Sequence, residues 1–111
     1  MTLIQRVVNF PQEKNRMKLM YFLVKLDWIP KHNGGRDTIP SSTYFCTTKV
    51  KFENSLTTCS IRLEIKQDDT NTAYLHFLFE KFSSVVALND SLTLFEGPHQ
   101  IGYATILSII S

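Results

Sequence analysis

Cys59-Ser60-Ile61-Arg62-Leu63-Glu64-Ile65-Lys66 alternates apolar and polar residues without a break. A period of two places Cys59, Ile61, Leu63 and Ile65 on one face of an extended chain and Ser60, Arg62, Glu64 and Lys66 on the other. Wound as a helix, the same residues would spread their charges around the whole circumference, so the segment reads as a half-buried strand. On its N-terminal side Tyr44, Cys46, Thr48, Val50 and Phe52 alternate with Phe45, Thr47, Lys49, Lys51 and Glu53, giving a second strand with one dry face. On its C-terminal side Asp68-Asp69-Thr70-Asn71 supplies side chains that bond their own backbone in turns, and Ala73 to Phe82 follows as a strand paired with Cys59 to Lys66 in a hairpin.

Farther out, Met17 to Trp28 is apolar at both alternating positions, as expected of a strand covered on two sides or passing from one contact to another. Gly34-Gly35-Arg36-Asp37-Thr38-Ile39-Pro40 then reverses the chain, its glycines permitting backbone angles that a Cβ forbids and Pro40 returning it to extended geometry. Val85 to Leu88 and Leu92 to Phe95 read as short extended pieces around Asn89-Asp90-Ser91, and Glu96-Gly97-Pro98-His99 turns into a last strand, Ile101 to Ile110. In that strand Gly102 and Ala104 mark a face that another backbone can approach closely. Residues 1–16 form a lead-in whose apolar spacing at Leu3, Ile4, Val7 and Val8 fits a short helix and a strand equally. One domain results, with a β-barrel over 17–111: all-β, a closed antiparallel barrel of about six strands. Tyr44, Cys46, Val50, Phe52, Ile61, Leu63, Ile65, Leu75, Phe77 and Ile101 are its expected inward set.

With 111 residues, 43% of them hydrophobic and 20% charged, the chain can bury about two thirds of its unfolded surface without a disulfide or metal. Cys46 and Cys59 fall on the apolar sets of neighbouring strands, where thiols act as small hydrophobes. The three histidines are scattered and no cysteine has a near second ligand, so no metal site or cofactor is expected. No segment reaches the ~20 apolar residues of a membrane span, and without a signal peptide the expected compartment is the cytoplasm. Residues 1–56 carry nine Lys or Arg against four Asp or Glu, and residues 57–111 three against six, which sum to +2. Folding can interleave the two halves, so the balance favours a mixed solvated surface over a polyanion-binding patch. Lysines interleaved with aromatics around Tyr44-Phe45 and Lys49 to Lys51 fit a nucleic-acid surface and a barrel edge alike. No G-x-x-x-x-G-K-[ST] cradle and no G-x-S-x-G elbow occurs, so neither guanine-nucleotide binding nor catalysis is expected.

Two segments resemble the third, C-terminal β-barrel domain of elongation factor Tu. Gly34-Gly35-Arg36-Asp37-Thr38-Ile39-Pro40 followed by Tyr44-Phe45-Cys46-Thr47-Thr48-Lys49-Val50 is similar to that family's G-G-R-x-T-P turn and F-R-T-T-D-V strand. Leu92-Thr93-Leu94-Phe95-Glu96-Gly97-Pro98-His99-Gln100-Ile101-Gly102-Tyr103-Ala104-Thr105-Ile106-Leu107 is similar to its closing R-F-A-I-R-E-G-G-R-T-V-G-A-G-V-V. Cys46 and Lys49 replace the family's arginine and aspartate, Ile39 is inserted before the proline, and Pro98-His99 stand where a glycine and an arginine would be. The family's GTPase domain and second barrel have no counterpart, so the resemblance implies a barrel and a docking surface but not the delivery of aminoacyl-tRNA. It implies binding positions at Arg36, Thr47, Thr48, Glu96, Gly97 and His99, each with a structural role as the alternative. The expected function is a non-catalytic module that binds a protein partner, as a mimic, a regulator or a toxin-neutralising protein. The alternatives are an RNA-binding module retaining part of a tRNA T-stem surface, and an enzyme with an unrecognised site.

Overall fold

The computed structural model describes residues 20–36 and 38–111. Six strands run through them: β1 (Tyr21–Trp28), β2 (Thr43–Phe52), β3 (Ser55–Lys66), β4 (Asp69–Phe77), β5 (Ser91–Glu96) and β6 (His99–Ile110). They close antiparallel in the order β1-β4-β3-β2-β5-β6, with β6 returning to β1. The all-β, closed six-stranded antiparallel barrel expected from the alternation is the fold observed. The lead-in at 1–16 and the start of the first expected strand, 17–19, lie outside the described residues.

Period-two burial follows the sequence pattern closely. In β3 the residues Cys59, Ile61, Leu63 and Ile65 are buried, and they meet Val50 and Cys46 from β2, Ala73, Leu75 and Phe77 from β4, and Phe22, Val24 and Leu26 from β1 in one core. Each fully buried Leu or Ile contributes about 1.5–3 kcal/mol of transfer free energy. Eight of the ten residues expected to face inward are buried, and the other two, Tyr44 and Phe52, pack half-buried against the core at the barrel's two ends. β2 and β3 join through Glu53-Asn54, both at positive φ, which is the geometry of a tight two-residue hairpin matched to strand twist. Asp69 begins β4 and accepts hydrogen bonds from the Asn71 amide and the Thr72 hydroxyl, so the expected turn chemistry operates from inside the strand.

Three expectations change. β1 is covered on one face: Phe22, Val24 and Leu26 are buried, whereas Lys25 is exposed and Tyr21 and Leu23 are half-buried on the outside. The strand expected over Ala73 to Phe82 ends at Phe77, and Glu80–Val85 form a 3-10 turn instead of leading into an extended Val85 to Leu88. The reason is Phe82, whose ring turns inward to 5.1 Å from Phe52 and 6.4 Å from Phe77 and plugs that end of the barrel. Ile101 and Gly102 are adjacent yet both buried, because the β5–β6 register slips between Leu94 and Phe95 and inserts Ile101 as a bulge. Gly102 backs onto β1, where a Cβ would lie 2.8 Å from the Asp27 carbonyl oxygen and 3.2 Å from the Trp28 ring, so the close approach expected there is real.

Candidate functional site

The two motif-bearing segments meet at the seam between β2 and β5. β2 pairs with β3 along its whole length, from Thr43↔Glu64 to Phe52↔Ser55, but registers with β5 only at Thr47↔Phe95. Side chains supply what the backbone ladder lacks. Thr48, fully buried, donates its hydroxyl to the Thr93 carbonyl at 2.6 Å. Below this point the strands part around a cleft of about 270 Å³ lined by Lys49, Val50, Lys51, Val85, Val86, Asp90, Ser91 and Leu92.

Above it, the seam is tied at the mouth of the barrel. Trp28, Tyr44 and Glu96 continue the inward-facing sets of β1, β2 and β5 at the point where the core ends, so the Tyr44 hydroxyl and the Glu96 carboxylate meet at the rim. Arg36, carried over from the loop after β1, pairs with Glu96 and lies with its guanidinium carbon 4.7 Å from the centre of the Tyr44 ring. The Tyr44 hydroxyl donates to the same Glu96 oxygen, and Arg36 Nε donates to the Thr38 carbonyl at 3.0 Å, closing its own turn. Tyr44 in turn packs edge-on to Trp28 at 6.3 Å, and the buried Trp28 Nε1 has no hydrogen-bond partner among the described residues.

The electrostatics are those of a closed network. Burial works against the Arg36 charge, but the Tyr44 oxygen and the Glu96 carboxylate outweigh it and raise the guanidinium's pKa. Burial first, then the bond to Glu96, pushes the Tyr44 phenol well above its ordinary range. Because Arg36 and Glu96 are each partly open to water, the ion pair itself contributes only about 0.2–1 kcal/mol. The seal therefore positions the loop more than it stabilises the fold.

Of the six binding positions read from the sequence, the structure brings Arg36 and Glu96 into direct contact and sets Thr47 and Thr48 along the same seam. Thr48 is withdrawn from any surface, since its side chain is buried and its hydroxyl is spent on Thr93. Thr47 is half-buried on the outer face opposite Phe95 and Ser60. Gly97 occupies the β5–β6 turn at φ 56°, and His99 is exposed just beyond it. Sequence reasoning assigned Tyr44 to the core and missed it as the ring on which Arg36 lies. Its position as the first aromatic of the inward set, at the end of a strand, is the signal that places it at a rim.

Cys46 and Cys59 are both free and buried, as read from the alternation. Burial raises the Cys46 thiol from 9.0 to about 12, with Glu96 adding to the effect and Arg36 opposing it, and burial alone raises Cys59 to about 11. A thiol whose folded pKa lies above its unfolded value stabilises the fold fully below the unfolded value and loses that contribution as pH climbs to the folded one. Thermal melting should therefore be flat between about pH 7.5 and 9, above the range where His76 and Asp69 titrate, and fall between about pH 9 and 12. Replacing both cysteines by alanine should flatten that decline in part, Tyr44 supplying the remainder, and an equally steep decline in the double variant would contradict the assignment.

Among the described residues no group of three or more His, Cys, Asp or Glu gathers as a metal site, and no helix is long and apolar enough to cross a membrane. The fold and the tied seam define a class, a closed six-stranded antiparallel β-barrel domain. No protein-family model, curated protein or solved structure matches the chain.

Proposed function

We propose that this barrel is a non-catalytic docking module for a protein partner, engaged at the mouth where the β1–β2 loop and the β5–β6 turn converge. The observation that carries the reading is that Arg36, Tyr44 and Glu96 tie these two connections to a rigid rim while leaving apolar and polar groups on them exposed. Ile39, in the Arg36 loop, is 59% exposed, and Gly97, Pro98 and His99 are exposed in the turn that Glu96 begins. Loops held by a stiff scaffold are where binding groups concentrate, because little ordering entropy remains to be lost on association. The resemblance of both segments to the third domain of elongation factor Tu supports the same surface, a mimic, a regulator or a toxin-neutralising protein being the roles it suggests. It also supports a T-stem contact as the alternative, but Glu96, which that contact would use, is already engaged by Arg36 and Tyr44.

The test spares the residues of the seal. Ile39→Asp with His99→Ala should leave the melting temperature unchanged, because both side chains are exposed, and should weaken capture of the partner from the host's lysate about tenfold. Undiminished capture by the folded double variant would remove the mouth as the docking surface.

A further inference from the structure

The outer wall formed by β2, β5 and β6 carries three aromatic residues in a line. Phe45 stands two residues from Thr47, which pairs with Phe95, and Phe95 stands two residues from Thr93, which pairs with Tyr103. Each step is one strand across and two residues along in the same sense, so the rings follow a diagonal with about 7–8 Å between neighbours. All three occupy outward positions, alternating with the buried Cys46, Leu94 and Ala104. Phe45 is 60% exposed and Tyr103 39%.

The opposite wall shows what such rings do when their role is structural. There Tyr21 stacks on His76 at 4.9 Å and meets Tyr74 edge-on at 5.8 Å, so the rings satisfy one another. Phe45 and Tyr103 make no ring contact among the described residues, and both are exposed. Phe95, between them, is covered by Lys49, whose Nζ lies 5.0 Å from the ring centre. Lys51 follows Lys49 on the same face.

Charge on this wall has one sign. The outward positions of β2, β5 and β6 hold Thr, Ser, Gln, aromatic, Leu, Ile and Lys residues and no carboxylate. Of the nearest acids, Glu64 is bound by Arg62 at 2.8 Å and by the Thr43 hydroxyl at 2.7 Å, Asp90 accepts from the Ala87 amide, Glu96 is engaged by Arg36 and Tyr44, and Glu53, exposed in the hairpin beyond Lys51, bounds the surface at that end. Asp27, on β1 beside Tyr103, marks the far edge of the surface.

We propose that this wall is a stacking platform for single-stranded nucleic acid. Bases lie on Phe45 and Tyr103, and Lys49, which covers Phe95 between them, neutralises with Lys51 the phosphates that join them. Unpaired bases suit the surface because every base offers a flat face to a ring, whereas a duplex hides those faces in its own stack. Only two lysines take part, so binding is weak and insensitive to sequence. The platform uses a different face from the protein-docking mouth, and the failure of either leaves the other standing.

The experiment is fluorescence anisotropy with labelled ten-nucleotide oligouridylate and oligodeoxythymidylate, and with a duplex RNA of equal length. The single strands should bind with Kd in the range of roughly 1–100 μM at physiological salt, and the duplex should bind more weakly. The slope of log K against log salt should be about −1.4, for two phosphates on a single strand. Phe45→Ala and Tyr103→Ala should each weaken binding about tenfold, with unchanged melting curves. Lys49→Ala with Lys51→Ala should flatten the salt slope. No anisotropy change up to about 300 μM, a preference for the duplex, or binding indifferent to Phe45 and Tyr103 would each overturn the proposal. So would a salt-insensitive protein ligand that needs both rings while the oligonucleotides do not bind.

Discussion

Leu63→Ala is expected to lower the free energy of unfolding by about 2–5 kcal/mol. Leu63 is fully buried in β3, with Tyr44 opposite it on β2 and Leu75 opposite it on β4. Removing its isobutyl group loses the transfer free energy of those carbons and leaves a cavity that the surroundings close only in part. Collapse is restricted here because β3 is held by ladders on both sides, and a closed barrel cannot draw one strand inward without shearing its neighbours. Against a total stability of about 5–15 kcal/mol for a small domain, the loss is large enough to populate unfolded chains at body temperature. Urea titration is the direct check: the midpoint should move down while the slope, which reports the surface exposed on unfolding, stays as in the wild type. Leu63→Met, which keeps most of the volume, should cost less than about 1.5 kcal/mol. A Leu63→Ala midpoint equal to wild type would mean that Leu63 is not in a packed core.

The same alternation that makes Leu63 predictable explains how far the fold was legible. Wherever a strand is dry on one side only, as in β2 and β3, period two sets both its existence and its inward face, since a slip of one residue would bury Arg62, Glu64 and Lys66. The pattern fails where the chain stops being a strand while remaining apolar. Leu78, Phe79 and Phe82 read as a continuation of β4, and Val85 and Val86 as a separate extended piece, because apolar runs carry no period of their own, and only the barrel's open end, a tertiary feature, draws Phe82 inward. The alternation starts the strand at Cys59, whereas β3 begins at Ser55; the register imposed by the Glu53-Asn54 hairpin extends it that far. For the candidate site, the motif segments pointed to Arg36, Thr47, Thr48 and Glu96, and the seam unites them. The division of labour among them depends on which atoms face one another across two strands distant in sequence. Thr47 and Thr48 are chemically identical, and only the pleat decides that the first looks outward and the second bonds Thr93 in the core.

Gly35→Ala should be the most damaging single-methyl change in the turn that carries Arg36, costing about 2–4 kcal/mol from overpacking and the loss of the Arg36 contacts together. The two glycines of this turn serve different ends. Gly34 sits at φ 91° with open space around it, so alanine there meets only the intrinsic cost of a left-handed backbone, about 1–2 kcal/mol. At Gly35 a Cβ would lie 1.7 Å from the Ile29 carbonyl oxygen, 2.5 Å from its carbon and 3.0 Å from the Pro30 oxygen. These are backbone atoms, and they cannot swing aside. Ile29 is fixed to β6 by its amide, 2.9 Å from the Ile101 oxygen, and the Pro30 carbonyl accepts from both Asn33 and Gly35. The turn itself must therefore open, and Arg36, the next residue, leaves Tyr44 and Glu96 with it. Two measurements separate this from ordinary destabilisation. Below its melting temperature, Gly35→Ala should alter the fluorescence of Trp28, the ring beneath Tyr44, whereas Gly34→Ala should lower the melting temperature by less and leave that emission unchanged. If Gly34→Ala were the more damaging of the two, positive φ rather than the contact with Ile29 would be what the turn requires, and Arg36 would owe its place to the ion pair with Glu96 instead of to the backbone that delivers it.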